Sequence, residues 1–470
     1  MSHTTRRTTL WTFVVTSIAL VMVTLDNLVV TTALPVIKRE LNASLEALEW
    51  TVNAYTLTFA VFLLTGAALG DRFGRRRMFV VGLGIFTGAS IAAALAPNVE
   101  ALVAARAIQG LGGALVTPLT LTLLSAAVPA DKRAVALGAW GGIGGLAVAL
   151  GPLVGGAIVE GWAWQWIFWI NVPIGVILLP IAWRQVKESH GPNERLDLGG
   201  VVLASIGLFG VVWGLVRGQG QGWTSSEIVS ALALGALFVA AFVAWERRAQ
   251  SPMLPLRFFR NRTFALTNAA SFAMYFGMFG AVFLLAQFFQ VAQGDSPLTS
   301  GLKILPWTAM PVVVAPLAGA LADRVIAGPR IVAVGLALQS IGLFWLAGVT
   351  SANVDYVDLV IPFVLSGMGM GLFFAPVANV IMSSVRPIEE GQASGANNAI
   401  RELGGVFGVA VLASVFASRG GYESPHIFSA GLRAATTVGA IVVALGALIA
   451  FAVPTAPLSV PNHEASTEVG

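Results

Sequence analysis

Long apolar stretches separated by short polar ones follow one another along almost the whole chain. A helix needs about 20 predominantly apolar residues to cross a bilayer core of about 30 Å. The sequence offers fourteen such segments, numbered here 1–14: 11–34, 48–69, 78–97, 101–126, 135–158, 166–183, 198–216, 228–245, 264–290, 301–321, 331–350, 357–383, 392–418 and 430–453. The pattern predicts an all-α polytopic membrane protein.

The composition agrees with this prediction and excludes several other classes. Of the 470 residues, 56% are hydrophobic and 11% are charged, whereas a soluble domain has about 25% charged residues. No continuous basic face suggests a nucleic-acid partner. The chain has no cysteine, and its four histidines lie in termini or loops. We therefore expect no metal, no cofactor and no enzymatic activity, since no nucleophile–base pair lies in the membrane.

Two polar turns indicate that the chain is an internal repeat. Leu69–Arg77 carries an acid and four arginines between segments 2 and 3. Charged side chains cost about 2.5–3.5 kcal/mol in hydrocarbon, so this stretch is predicted to be a tight cytoplasmic turn. Gly319–Arg330 is a second polar stretch between two apolar segments, and its Asp323 lies 252 positions after Asp71. Segments 1 and 9 are related by nearly the same offset, which indicates two six-helix halves.

The repeat divides the chain into four parts. We expect a six-helix bundle over 1–183, cytoplasmic linkers and an inserted helix pair over 184–262, a second six-helix bundle over 263–454, and a disordered cytoplasmic tail over 455–470. Two parallel six-helix halves with substrate handled between them are typical of alternating-access transporters. Most lysines and arginines fall at one side of the segments, which predicts that both termini are cytoplasmic.

Asp26 and Arg106 are the charged residues that point most directly to a mechanism. Asp26 is the only charged residue of segment 1, about 12 Å from its outer edge, and Arg106 lies about 7–8 Å deep in segment 4. Because their depths are similar, the two side chains could meet and bind and release a proton. The alternative is a static buried ion pair that fixes helix packing.

Other polar residues within the segments are candidates for a central cavity. Arg401 and Glu402 lie about 13 Å from the inner edge of segment 13, where structural and substrate-orienting roles are both open. The cavity candidates are Asn27, Asn53, Tyr55, Gln109, Asn398 and Arg401.

Segment 5 is rich in glycine at three- and four-residue spacing. Small residues allow helix backbones to approach closely, so Gly151, Gly155 and Gly156 predict a tight helix contact. Pro152 adds the possibility of a bend in the helix at Gly151-Pro152.

The motifs together resemble the major facilitator superfamily, and within it the fourteen-helix drug:proton antiporters. The similar stretches are Leu25–Val30, Leu69–Arg77, Arg106–Gly110, Gly151–Gly156 and Trp164–Pro173. Ala67 stands where a leading glycine is usual, and Gln165 replaces a more usual arginine. The resemblance implies the major facilitator fold, with two extra helices between the six-helix bundles.

The resemblance also implies a function. We expect a proton-coupled exporter of amphipathic organic compounds in a bacterial inner membrane, acting as a monomer and driven by the proton gradient. The alternative is a dedicated exporter of an endogenous natural product or antibiotic. In the family, the arginine that matches Arg106 is associated with proton coupling. The polar turns would latch the cytoplasmic side shut near Gly391. The latch residues would be Asp71, Arg72, Gly74, Arg75, Asp323 and Arg324.

Overall fold

The computed structural model describes residues 3–190, 197–322, 326–386 and 389–454, and these residues are mainly helical. The first half contains α1 (His3–Glu40), α2 (Leu45–Phe73), α3 (Arg75–Ala94), α4 (Val99–Ala127), α5 (Ala130–Gly161), α6 (Trp166–Trp169) and α7 (Asn171–Gln185). Then follow α8 (Leu198–Gln221) and α9 (Ser226–Glu246). The second half contains α10 (Arg262–Gln287), α11 (Pro297–Thr308), α12 (Met310–Leu321), α13 (Gly328–Val349), α14 (Tyr356–Ser383), α15 (Glu390–Arg419) and α16 (Pro425–Phe451). Segment 6 is thus split into α6 and α7, and segment 10 into α11 and α12.

Thirteen spans in the described residues are long and apolar enough to cross a membrane, and a shorter apolar stretch, Leu150–Gly161, lies in α5 at the position of segment 5. Short polar side chains start several of these helices. Ser44 accepts a hydrogen bond from the Ala47 amide at the start of α2, and Asn98 accepts one from Ala101 at the start of α4. These side chains bond amides that have no partner within their own helix.

The helices extend further than the apolar segments predict, because their polar ends continue into water. The turn predicted over Leu69–Arg77 is reduced to one residue: α2 runs to Phe73 and α3 begins at Arg75. Gly74 between them has φ 103°. Other residues rarely adopt that backbone conformation, which explains a glycine at this position.

Packing within the two halves follows one scheme. In the first half α1 contacts α5 and α7, α2 contacts α4, and α3 contacts α4 and α7. The corresponding helices of the second half make the same pairs: α10 with α15 and α16, α12 with α14, and α13 with α14 and α16. The halves meet along two matching seams, α2 with α15 and α5 with α11. This is the major facilitator arrangement of two six-helix bundles.

The inserted pair α8 and α9 lies outside this scheme. The two helices pack through glycines, since a Cβ on Gly207 would lie 2.8 Å from the Val239 amide nitrogen. Helix α8 also contacts both α2 and α15. Val212 and Val216 of α8 form one apolar cluster with Leu57 and Val406 of those helices.

Helix direction defines two faces of the molecule. The linker face carries Gly74, the ends of α7 and α9, and the segment 247–261, which includes the short 3₁₀ helix Leu256–Arg260. The opposite face carries the ends of α5, α10, α13 and α15.

Candidate functional site

A buried ion pair joins α1 to α4. Arg106 Nη1 donates a hydrogen bond to Asp26 Oδ2 at 2.5 Å, and both side chains are fully buried. Burial raises the electrostatic attraction between the two charges, but it also removes both from water. The structure therefore brings together the two residues whose similar depths were noted in the sequence.

Two amide side chains complete the shell around the Asp26 carboxylate. Gln109 Nε2 donates to Asp26 Oδ1 at 2.8 Å, and Asn171 Nδ2 donates to the same oxygen at 2.7 Å. Gln109 Nε2 also donates to Ser90 Oγ at 2.9 Å. Side chains of α1, α3, α4 and α7 thus form one polar cluster, here called the Asp26 cluster.

The guanidinium of Arg106 is held by more than its charge partner. Its Nε donates to the Thr51 carbonyl oxygen at 3.1 Å, and its Nη1 also donates to Gln109 Oε1 at 2.8 Å. Its carbon lies 4.2 Å from the centre of the Tyr55 ring and 5.7 Å from that of Phe168. Hydrogen bonds and cation–π contacts together fix its position.

The Asp26 cluster has the chemistry of a proton-binding site. The guanidinium and two amide groups stabilise the charged carboxylate, whereas removal from water favours the neutral acid. Because the two effects oppose each other, the balance between the charged and the neutral carboxyl group depends on the contacts that α4 and α7 make with α1. Such a group can link proton binding to a conformational change.

A large cavity opens at the linker face, and none of its described lining residues belongs to the Asp26 cluster. Its volume is about 1290 Å³. Its walls come from both halves and from the segment that joins α9 to α10. They include Leu63, Thr117, Trp140, Met253, Gln392 and Asn398. At the opposite face the halves are in contact through α5 and α11.

The described cavity lining includes one of the six cavity candidates, and a substrate role for any of the six stays a prediction. Asn398 lines the cavity. Gln109 belongs to the Asp26 cluster, because it donates a hydrogen bond to Asp26, and the ring of Tyr55 in α2 packs against Arg106 of this cluster. Arg401 lies next to this lining residue, Asn398, because its Nη1 donates a hydrogen bond to Asn398 Oδ1 at 3.2 Å.

The two remaining candidates, Asn27 and Asn53, are absent from the described lining of the cavity. Asn53 is fully buried, and neither of its amide atoms has a partner among the described residues. The Oδ1 atom of Asn27 likewise has none there. A substrate role for either residue stays a prediction.

In the second half, polar side chains form a separate network. Asn397 Nδ2 donates to Asn268 Oδ1 and to Ser271 Oγ, each at 3.0 Å. Arg401 lies 4.6 Å from the centre of the Tyr275 ring and donates a hydrogen bond to its hydroxyl. The network joins α10 to α15 next to the cavity wall, which fits a structural role and a substrate-orienting role equally.

The predicted latch residues lie at the linker face, but they make a local arrangement there. Arg75 Nε donates to Asp71 Oδ1 at 2.8 Å, and both residues line the cavity. The Arg72 guanidinium lies over the ring of Phe73. No described contact joins Asp71 to the start of α15. Asp323 and Arg324 lie outside the described residues, and the latch role stays a prediction.

Glu188, which the sequence analysis did not consider, binds the start of α3. Its carboxylate accepts hydrogen bonds from the amides of Arg76 at 2.9 Å and Arg77 at 3.3 Å. It also lies 3.6 Å from Arg76 Nε. A carboxylate is favourable at a helix N-terminus, where amides are unpaired. The chain after α7 is thereby fixed to the turn at Gly74.

A second ion-pair cluster connects the α9–α10 segment to the start of α15. Glu389 lies 2.7 Å from Arg257 Nη2 and 2.6 Å from Arg386 Nη2. The hydrogen bond from Arg386, with the charges of both arginines, lowers the pKa of Glu389 from 4.5 to about 2. The carboxylate is therefore charged at neutral pH, and it anchors the segment at the rim of the cavity.

The glycines of segment 5 face two different helices. A Cβ on Gly151 would lie 2.6 Å from Leu28 Cβ, and one on Gly155 would lie 2.7 Å from the Val29 carbonyl oxygen. These two glycines therefore pack on α1 directly beyond Asp26. Gly156 points elsewhere and packs on α11 of the other half. Pro152 lies inside a continuous α5.

Two members of the Asp26 cluster escaped the sequence analysis. Asn171 is a polar residue in an apolar run, and Ser90 is a small hydroxyl residue in segment 3. The available signal for Asn171 was an amide at a depth similar to that of Asp26. Ser90 gave no signal, because serine is common in membrane helices, where its hydroxyl bonds the backbone.

Fold and site together define a secondary transporter with two halves around a cavity. The family model of the Major Facilitator Superfamily matches residues 16–409. The chain belongs to this superfamily.

Several curated relatives are similar over most of the chain. It is 37% identical over 414 residues to "Multidrug resistance protein Stp" of Mycobacterium tuberculosis, covering 88% of this chain and 76% of that protein. It is 35% identical to "Tetracenomycin C resistance and export protein" of Streptomyces glaucescens, covering 88% and 77%. It is 33% identical to "Multidrug efflux pump LfrA" of Mycolicibacterium smegmatis, covering 93% and 86%.

Solved structures show the same fold at low sequence identity. A peptide transporter POT crystallised with sulfate matches with a TM-score of 0.69 at 16% identity, covering 94% of each chain. The Escherichia coli xylose transporter XylE, in a partially occluded inward-open conformation, matches with a TM-score of 0.63 at 15% identity, covering 95% of this chain and 98% of that chain.

Proposed function

We propose that this protein is a proton-coupled exporter of amphipathic organic compounds that works by alternating access. The observation that carries the proposal is the Asp26–Arg106 pair, a titratable ion pair enclosed in one half of a two-half transporter. Intramembrane ionisable residues of transporters commonly serve as proton relays. Relatives named for multidrug resistance and for antibiotic export support the choice of substrate class.

In the proposed cycle the linker face is cytoplasmic, and substrate enters the cavity of about 1290 Å³ from that side. Rocking of the halves then opens the opposite face, where substrate leaves and Asp26 takes up a proton. Return of the halves delivers the proton to the cytoplasm. The bias of lysine and arginine toward the linker face supports this orientation.

A dedicated exporter of an endogenous natural product is the second candidate. The similarity to the tetracenomycin C resistance and export protein favours it to the same degree as multidrug efflux. The two candidates share the cavity and the proton site. They differ in the range of compounds that they transport, so a panel of unrelated compounds distinguishes the two candidates.

The experiment is transport in everted membrane vesicles with a panel of dyes and antibiotics, with and without a protonophore. We expect accumulation that the protonophore abolishes. Asp26→Asn should abolish this accumulation while the variant reaches the membrane in normal amount. The matched control is Asp358→Asn, because Asp358 is exposed at the start of α14. Normal proton-linked transport by Asp26→Asn would exclude this carboxyl group from the mechanism.

A further inference from the structure

A carboxylate of one half binds the start of a helix in the other half at the opposite face. Glu160 lies in the last turn of α5, and its Oε2 accepts a hydrogen bond from the Leu298 amide at 3.0 Å. The same oxygen accepts a hydrogen bond from the Ser296 hydroxyl. Leu298 and Ser296 belong to the start of α11. The contact therefore crosses from the first half to the second.

The start of α11 has a free donor for this carboxylate. The N-cap Ser296 accepts a hydrogen bond from the Thr299 amide at 3.2 Å, and Pro297 has no amide hydrogen. This leaves the Leu298 amide without a partner in its own helix. The carboxylate of Glu160 supplies one and places its negative charge where the helix dipole favours it.

Reciprocal glycine contacts hold the two backbones together just below this point. A Cβ on Gly156 of α5 would lie 2.3 Å from the Pro297 carbonyl oxygen. A Cβ on Gly301 of α11 would lie 2.4 Å from the Pro152 carbonyl oxygen. Neither position has room for a larger residue, so α5 and α11 are in direct backbone contact. Any opening of this face must separate them.

None of the described ion pairs includes Glu160, so no cation neutralises its charge there. Lys303 of α11 instead pairs with Asp295, which precedes that helix. A second contact crosses the halves at this face, where the Lys38 ammonium lies over the Tyr422 ring. Two separate charged contacts thus hold this face closed. Loss of one would shift the equilibrium toward the open form, but the other contact would still favour the closed form.

We propose that Glu160, with Ser296 and Leu298, forms a clasp that holds the opposite face closed and must break each time that face opens. Glu160 is then a positioning residue of the transport cycle, separate from the Asp26 cluster. The consequence for export rests on the proposed function, but the clasp itself concerns only the equilibrium between closed and open forms. That equilibrium is measurable in purified protein without a transport assay.

The test is a distance measurement across the opposite face. Because the chain has no cysteine, the substitutions Glu100→Cys and Gly348→Cys allow specific attachment of two spin labels. Both residues are exposed, and a Cβ on Gly348 would meet no atom within 4 Å. One label sits on α4 and the other on α13, so their distance reports separation of the halves.

In this background we expect Glu160→Gln to raise the ratio of open to closed protein on the order of fivefold, as expected for loss of one exposed charge at a helix N-terminus. The control is Glu227→Gln, the same change in the first turn of α9 on the same face, because no described hydrogen bond or ion pair joins the Glu227 side chain to the second half. An unchanged distance distribution for Glu160→Gln, or an equal shift for Glu227→Gln, would overturn the clasp.

A second variant tests the same contact through packing. Gly156→Ala places a methyl group against the Pro297 carbonyl and should open the face more strongly than Glu160→Gln. If only Gly156→Ala opens it, backbone packing alone closes the face and the role of the carboxylate is disproved. Absence of protonophore-sensitive export with an intact clasp would instead count against the proposed function, so the two failures are distinguishable.

Discussion

The amide of Asn171 donates a hydrogen bond to the carboxylate of Asp26 at 2.7 Å, and this bond joins α7 to α1. Asn171 is the first residue of α7, directly after the short break that follows α6. Its position therefore depends on how segment 6 is interrupted. Movement of α7 relative to α1 would remove one of the three donors that stabilise the charged form of Asp26.

We expect Asn171→Ala to lower the maximal rate of proton-driven export about tenfold, because a hydrogen bond to a charged group contributes about 1.5–3 kcal/mol. Initial rates in everted vesicles measure this. The control is Ser340→Ala, which removes one buried hydrogen bond, to the Ala440 carbonyl at 3.0 Å, far from the Asp26 cluster. Equal losses in the two variants would mean that Asn171 only stabilises the fold.

Arg106→Lys should abolish most proton-driven export although it keeps the positive charge. A lysine ammonium cannot reproduce the fixed donor geometry that joins the Thr51 carbonyl, Gln109 and Asp26. Export rates normalised to protein in the membrane measure the effect. Arg217→Lys is the matched control, because Arg217 pairs with Glu46 at a half-exposed site at 2.5 Å. Full activity of Arg106→Lys would show that charge alone is sufficient at this position.

The fold follows from the sequence because the physics of spanning a membrane is simple and local. Each apolar segment must be a helix, and the repeated turns fix the pairing of the halves. The meeting of Asp26 and Arg106 was also predictable, since buried charges require partners and only a few lie at similar depth. The superfamily and the fold are confirmed by the family model and the solved structures.

The cavity lining could not be predicted in the same way. Depth along a helix is readable from sequence, but the direction of a side chain depends on packing with distant helices. The sequence therefore did not show that the amide of Gln109 bonds Asp26. Glu188 and Glu160 could not be found at all, because each binds backbone amides of a remote helix. Backbone amides carry no sequence signal.

Glu389 should not contribute to the pH dependence of export between about pH 5 and pH 8. Its pKa in the folded protein, about 2, lies below the ordinary value of 4.5. The stabilisation from its ion pairs is therefore fully present above pH 4.5 and is lost only as the pH falls toward 2. Glu389→Gln should leave the shape of the pH–rate profile unchanged, and a shifted inflection would contradict this.

The turn between α2 and α3 should be intolerant of any side chain. In Gly74→Ala the alanine would have to adopt a φ near 103°. Its methyl group would lie 2.8 Å from the Glu188 carboxyl carbon. A left-handed backbone costs a non-glycine residue about 1–2 kcal/mol, so we expect a lower unfolding temperature in detergent.

Gly84→Ala is the control for this change, because Gly84 lies within α3 and a Cβ there meets no atom within 4 Å. Alanine is favoured over glycine inside a helix, so this variant should unfold at the same temperature as the parent or slightly above it. Thermal unfolding followed by intrinsic tryptophan fluorescence compares the three proteins. Equal unfolding temperatures for Gly74→Ala and Gly84→Ala would mean that the turn rearranges freely, and that the Glu188 contact does not hold it.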